Sequence, residues 1–205
     1  MITKNDYSRI LGLLLVVCIT GCGSDATLAP LASNATILAF GDSLTAGNGE
    51  GAEESYPAQL SRLSNRTVIN AGISGEESRE GLARLASLLD QHNPELLILC
   101  HGGNDLLRKR PVSQLESNLR EMIALARGRG ITVLMLGVPA PGIFLSSEEL
   151  YETIAGDTGV AFIPEVIADV LSKPSLKSDT VHPNAQGYTE IASVIYQELQ
   201  KFSAL

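Results

Sequence analysis

Residues 36–47 read Thr-Ile-Leu-Ala-Phe-Gly-Asp-Ser-Leu-Thr-Ala-Gly, an apolar run that breaks abruptly into a loop of glycine, acid and hydroxyl. Thr36 to Phe40 shows no polar alternation, as a strand covered on both faces requires, and a parallel sheet flanked by helices supplies that cover. Further β-prone runs lie at Thr67–Asn70, Leu96–Cys100, Thr132–Val138 and Val160–Ile163, which makes five strand candidates. Between them leucines recur at helical spacing: Leu82, Leu85 and Leu89 in one segment, then Leu115, Leu119, Met122 and Leu125 in the next. Ser113-Gln114-Leu115-Glu116 and Ser146-Ser147-Glu148-Glu149 fit capping boxes, which place helix starts near Ser113 and Ser146. A last helix is expected from about Asn184 to Phe202, with Ile191, Ile195 and Leu199 on one face. Strand and helix in alternation predict an α/β protein: a three-layer αβα sandwich around a five-stranded parallel sheet, with any site at the carboxyl ends of its strands.

A chain of 205 residues, 44% of them hydrophobic, can bury one core, so one globular domain is expected. The first residues follow a different logic. Lys4 and Arg9 precede the short apolar run Ile10 to Ile19, the pattern of a secretory leader; a bilayer span would need about 20 apolar residues. The run ends in Ile19-Thr20-Gly21-Cys22, which resembles the bacterial lipobox, whose cysteine is lipidated and becomes the new first residue. Residues 1–21 are therefore expected to be a lipoprotein signal peptide, 22–34 a tether starting at lipidated Cys22, and 35–205 the domain. The expected location is the bacterial cell envelope, on the periplasmic side of a membrane or at the cell surface. Cys18 would leave with the leader and Cys22 would be modified, so Cys100 has no disulfide partner and reads as a small buried hydrophobe. Removing Lys4, Arg9 and Asp6 takes 15 basic and 23 acidic residues to 13 and 22, a net charge of −9. An acidic chain without a basic cluster argues against nucleic acid as a partner.

Ser43 sits just past the first strand, where such folds bind ligands. It is not part of a phosphate loop: GxxxxGK[ST] and GxGxxG are missing, and Gly49-Glu50-Gly51-Ala52-Glu53-Glu54 would repel an anion. Nor is it a nucleophile elbow, since Gly41-Asp42-Ser43-Leu44-Thr45 lacks the second glycine of GxSxG. Other strand ends carry equally reactive residues. Asn70-Ala71-Gly72-Ile73-Ser74-Gly75-Glu76 follows the second strand, Gly102-Gly103-Asn104-Asp105 the third, and Asp179-Thr180-Val181-His182-Pro183-Asn184 precedes the last helix. A serine hydroxyl needs a base within about 2.6–3.2 Å, a role His182 fits. Asp179, three residues earlier, can reach the other imidazole nitrogen from the same turn and fix its tautomer. No His, Cys and carboxylate cluster has metal-ligand spacing, so neither metal nor other cofactor is expected.

Ser, Gly, Asn and His in that order, in four blocks from about Ile37 to His182, resemble the GDSL, or SGNH, hydrolase family. The segments GISGEESREGLARL and LGVPAPGIF look nearest to the bacterial multifunctional thioesterase, lysophospholipase and arylesterase branch. The resemblance implies a flavodoxin-like sandwich and a serine esterase or thioesterase acting through an acyl-enzyme on Ser43, with Asp179 and His182 completing the catalytic set. It also implies three oxyanion donors: the Ser43 N–H, the Gly72 N–H and the Asn104 amide. Gly75, Gly102 and Gly103 are assigned to turns, Asp42 to a bond with the loop backbone, and His101 to the core or pocket wall. Loops 75–81 and 138–145 are expected to set substrate choice. A small ester or a lysophospholipid is the expected substrate, a lipid anchor the link to a membrane, and a monomer the expected state. Two alternatives stay open, a carbohydrate O-acetylesterase of the same superfamily and a binding lipoprotein without turnover.

Overall fold

The computed structural model describes residues 28–140 and 149–205. The expected leader, Cys22, and the Ser146 capping box lie outside the described residues. Strands β1 (Thr36–Gly41), β2 (Thr67–Gly72), β3 (Leu96–Cys100), β4 (Thr132–Leu136) and β5 (Ala161–Ile163) form a parallel sheet in the order β2-β1-β3-β4-β5. The apolar runs explain this order. Leu96 to Cys100 is buried at every residue and β1 at all but its first, so these strands occupy the interior, whereas partly exposed β2 lies at an edge. The order reverses direction at β1 and β3, and that topological switch opens a crevice at the carboxyl ends of the two strands. β2 runs two residues longer than the sequence predicts, because Gly72 still pairs with Gly41. β4 ends at Leu136, two residues earlier than predicted, and frees Val138 for the crevice.

The helices are α1 (Ser43–Ala46), α2 (Tyr56–Ser64), α3 (Ser78–His92), α4 (Gly103–Leu107), α5 (Val112–Arg127), α6 (Glu149–Thr158), α7 (Val166–Ser172) and α8 (Ala185–Lys201). α3, α5 and α6 pack together in one layer, and α2, α7 and α8 in the other. Leu85, Leu89, Leu115, Leu119 and Met122 are buried, while Leu82 and Leu125 pack at the margin of the core. α5 starts at Val112 instead of at a Ser113 box: Pro111, with φ −56°, is preset for the helix and its carbonyl accepts the Gln114 and Leu115 N–H groups. α8 starts as its sequence predicts, with Asn184 accepting the Gly187 N–H at 3.0 Å.

Part of the stretch 22–34 expected as a tether, from Leu28 onward, is docked on the domain. The Leu28 and Leu31 N–H groups donate to the Phe202 and Ala204 carbonyls, both at 2.9 Å, and both leucine side chains are buried. Ala32 N–H reaches Glu95 Oε2 at 3.2 Å, directly before β3. The domain therefore includes a strap from Leu28 onward, laid across the amino ends of the strands.

Candidate active site

The site begins where β1 can go no further as a strand. A Cβ on Gly41 would lie 2.0 Å from the Cys100 carbonyl oxygen, so glycine alone allows β1 and β3 to run this close. Asp42 then caps α1: buried, it accepts the Leu44 N–H at 3.1 Å, as expected of a residue that bonds the loop backbone. Burial raises its pKa, against the opposing influence of His101 and the Leu44 and Gly103 N–H groups. Ser43 is thereby fixed as the first residue of α1, at the mouth of the crevice.

From the opposite side, the 179–184 turn brings His182 to Ser43. Asp179 Oδ1 accepts the N–H groups of Val181 and His182, each at 2.8 Å, so the aspartate folds the turn that carries the histidine. Its other oxygen, Oδ2, lies 2.8 Å from His182 Nδ1, and His182 Nε2 lies 3.0 Å from Ser43 Oγ. Partial burial would raise Asp179, but the His182 bond and the two backbone donors outweigh it and hold the carboxyl below its ordinary value. An ionised carboxylate only accepts, so Nδ1 carries the imidazole proton and Nε2 presents a lone pair to the serine hydroxyl. Such a chain can take the proton from Ser43 as it attacks a carbonyl carbon.

The expected oxyanion donors need one correction. The Gly72 N–H is already bonded to Asn70 Oδ1 at 3.0 Å, and a Cβ there would meet the Ala46 backbone nitrogen at 2.2 Å, so this glycine packs β2 under α1. Gly75 lies in the turn expected from sequence, closed by the Glu76 N–H on the Ile73 carbonyl at 3.2 Å, and also borders the cavity beside Ser43 and Asn104. It has φ +81°, and its N–H has no acceptor among the described residues. Asn104 faces the same cavity, and its amide donates one hydrogen to the Glu76 carbonyl at 3.1 Å, which leaves the other for a ligand. The Ser43 N–H, at the start of a helix, has no intrahelical acceptor.

The cavity has a volume of about 600 Å³, within the range of about 300–1,000 Å³ usual for small-molecule sites. Leu44, Leu107, Val138, Pro139 and Leu171 give it apolar walls, and Lys177 and Asn48 are among its polar lining residues. Of the two loops expected to set substrate choice, Gly75 and residues 138–140 reach the cavity, while 141–145 lie outside the described residues. Among the described residues no group of His, Cys, Asp and Glu could hold a metal ion. Cys100 is buried below the site and its thiol is pushed up by that burial, away from nucleophilic use.

Residues 39–189 match the GDSL-like lipase/acylhydrolase family. The chain belongs to that family. An arylesterase of Vibrio mimicus is 33% identical over 94% of this chain and 98% of its own length. The thioesterase 1/protease 1/lysophospholipase L1 of Escherichia coli K12 is also 33% identical, over 80% of this chain and 83% of its own. Among solved structures, that of TesA superposes with a TM-score of 0.74 at 31% identity, covering 82% of this chain and 99% of TesA. This GDSL hydrolase thus has the five-stranded parallel sandwich of its relatives and acts on ester bonds.

The structure brings Ser43, Asp179 and His182 into one hydrogen-bond chain and places Asn104 at the same cavity. Gly75 and Glu76 fall in the 75–81 loop expected to set substrate choice, but the contacts of Glu76 with Arg84 and His101 were not foreseen. Their trace in the sequence is slight: an acid directly after a loop glycine, and an arginine eight residues on. His101, expected in the core or pocket wall, is buried and has a carboxylate partner: Glu76 Oε2, at 3.1 Å from its Nε2.

Proposed function

We propose that this GDSL hydrolase cleaves carboxylic esters or thioesters with hydrophobic acyl or aryl groups, through an acyl-enzyme on Ser43. The observation that carries the reading is the Asp179–His182–Ser43 hydrogen-bond chain opening onto an apolar cavity. His182 takes the Ser43 proton as Oγ attacks the carbonyl carbon, then returns it to the departing alcohol or thiol. Asp179 stabilises the imidazolium formed between those steps. The Ser43 and Gly75 N–H groups and the free Asn104 amide hydrogen receive the oxyanion; removing one such donor costs about 10²–10³ in kcat in comparable sites. Water, activated by His182, then releases the acid and restores the serine. The relatives' names, arylesterase and thioesterase/lysophospholipase, support aryl esters, lysophospholipids and acyl thioesters as the substrates to test. The lipobox at Ile19–Cys22 supports lipid anchoring in a bacterial envelope.

The test is hydrolysis of p-nitrophenyl acetate, butyrate, octanoate and palmitate by the chain lacking residues 1–22, beside Ser43→Ala. Turnover that falls by about 10⁴-fold or more in the folded variant is expected, with a preference for chains longer than acetate. Full activity in Ser43→Ala refutes the mechanism. Preference for acetate, extended to acetylated sugars, replaces the substrate assignment with a deacetylase, and a folded wild type inert on all esters and thioesters favours a binding protein.

A further inference from the structure

Beneath the site lies a polar cluster that the proton-transfer chain does not use. Glu76 is 6% exposed and His101 fully buried. Arg84, from α3, forks onto Glu76 with Nε to Oε1 and Nη2 to Oε2, both at 2.6 Å, while its guanidinium carbon sits 4.3 Å over the Phe40 ring. The same Nη2 reaches the Ala71 carbonyl at 2.8 Å and, at 3.4 Å, the Gly41 carbonyl, at the ends of β2 and β1. Burial disfavours the ionised Glu76, but His101 and Arg84 outweigh it and hold its carboxyl below the ordinary value. The carboxylate accepts from His101, so Nε2 carries the ring proton and Nδ1 is left as a buried acceptor with no partner among the described residues. Gly81 leaves room for this imidazole, since a Cβ there would lie 2.4 Å from its Nε2.

A half-satisfied buried network costs stability, and an apolar side chain at 101 would avoid the unpaired nitrogen. Its place in the fold indicates what it does. The Glu76 carbonyl holds the Asn104 amide, and Gly75, which lines the cavity and whose N–H has no acceptor among the described residues, directly precedes Glu76 in the chain. One anchored residue therefore sets both donors. Arg108 Nη1 donates to the Gly75 carbonyl at 3.0 Å and the Glu76 N–H donates to the Ile73 carbonyl at 3.2 Å, so the Gly75–Glu76 peptide is held at both its polar groups.

We propose that the Arg84–Glu76–His101 cluster is the positioning device of the oxyanion hole, locking the Gly75 N–H and the Asn104 amide into the geometry of the tetrahedral intermediate. This rests on the serine-esterase reading above. Its residues act through Gly75 and Asn104 and touch no substrate. Preorganised donors are effective because they need no reorientation as charge develops.

The test uses Glu76→Gln, His101→Leu and His101→Gln, each alone and combined with Asn104→Ala, on p-nitrophenyl butyrate, with active sites counted by phosphonate titration. Per titrated site, Glu76→Gln and His101→Leu are expected to lower kcat about tenfold or more while KM stays within about twofold. His101→Gln, whose amide can replace the Nε2 donor, is expected to recover most of the loss. In the Asn104→Ala background, the same changes are expected to cost about twofold or less, because one target of the positioning is gone. A cluster that only stabilises the fold would lower the melting temperature and the titratable fraction, leave kcat per site unchanged, and add to Asn104→Ala; that result overturns the proposal. Failure of the esterase reading is separate: wild type would then show neither phosphonate titration nor Ser43-dependent turnover.

Discussion

Asp179 is the site residue whose ionisation the structure constrains most directly, through one imidazole and two backbone N–H bonds. Its folded pKa is depressed below the ordinary aspartate value of about 3.9. Its contribution to stability is therefore present above that value and lost as pH falls through the folded pKa. Asp179→Asn should melt below wild type at about pH 7, and the gap should close as the pH is taken below about 4; a gap that persists unchanged to about pH 3 would contradict this assignment. Turnover at neutral pH should fall about 10²–10⁴-fold, since asparagine can favour the wrong imidazole tautomer. Ser43, Asp179 and His182 were legible one by one because their chemistry needs particular side chains. The glycine proposed as an oxyanion donor was not, because it would act through a backbone N–H that every non-proline residue owns, and only the path of the chain shows which residue lines the cavity.

The two glycines after β2 differ because of the elements they join. Gly72 lets the end of β2 lie against α1, whereas Gly75 has φ +81° and a Cβ there would meet only Arg108 Nη2, at 3.8 Å. Gly72→Ala should therefore push α1 and Ser43 off the sheet, with a clear loss of both melting temperature and activity. Gly75→Ala should fold, at a cost of about 1–2 kcal/mol for the left-handed backbone, and lose turnover by misdirecting its N–H. Melting curves and kcat for the pair check this; equal loss of stability in both would refute the distinction. The elements were largely readable, because uninterrupted apolar runs such as Leu96–Cys100 and the leucine stripes of α3 and α5 report burial directly. Their ends were less so: Ser113 fits a capping box, but Pro111 starts the helix one step earlier, and β4 yields Val138 to the cavity although its sequence still reads as strand.

At the scale of the molecule, the strap and the site lie at opposite ends of the sheet. α8 starts at the catalytic turn and its 17 residues run about 25 Å to the tail that holds Leu28 and Leu31. An anchor on Cys22 would leave only residues 23–27 before the strap, a reach of about 20 Å, so the catalytic opening would face away from the bilayer. Cys22→Ala should accordingly move the chain from the membrane to the soluble fraction while kcat on a soluble ester stays unchanged. Membrane retention of that variant would remove the lipid-anchor reading, and a changed kcat would place the opening at the bilayer. The sequence by itself determined the layered parallel fold and the family, and it singled out Ser43, His182 and Asp179 as candidate nucleophile, base and orienting acid. Each depends on residue type and short-range pattern: continuous apolar runs demand two covered faces, and proton transfer demands hydroxyl, imidazole and carboxylate. Only the tertiary structure decided that Gly75 and not Gly72 faces the cavity, that His101 serves Glu76, and that the supposed tether is docked from Leu28. These depend on where distant backbone carbonyls and side chains converge, and spacing along a single chain does not encode that convergence.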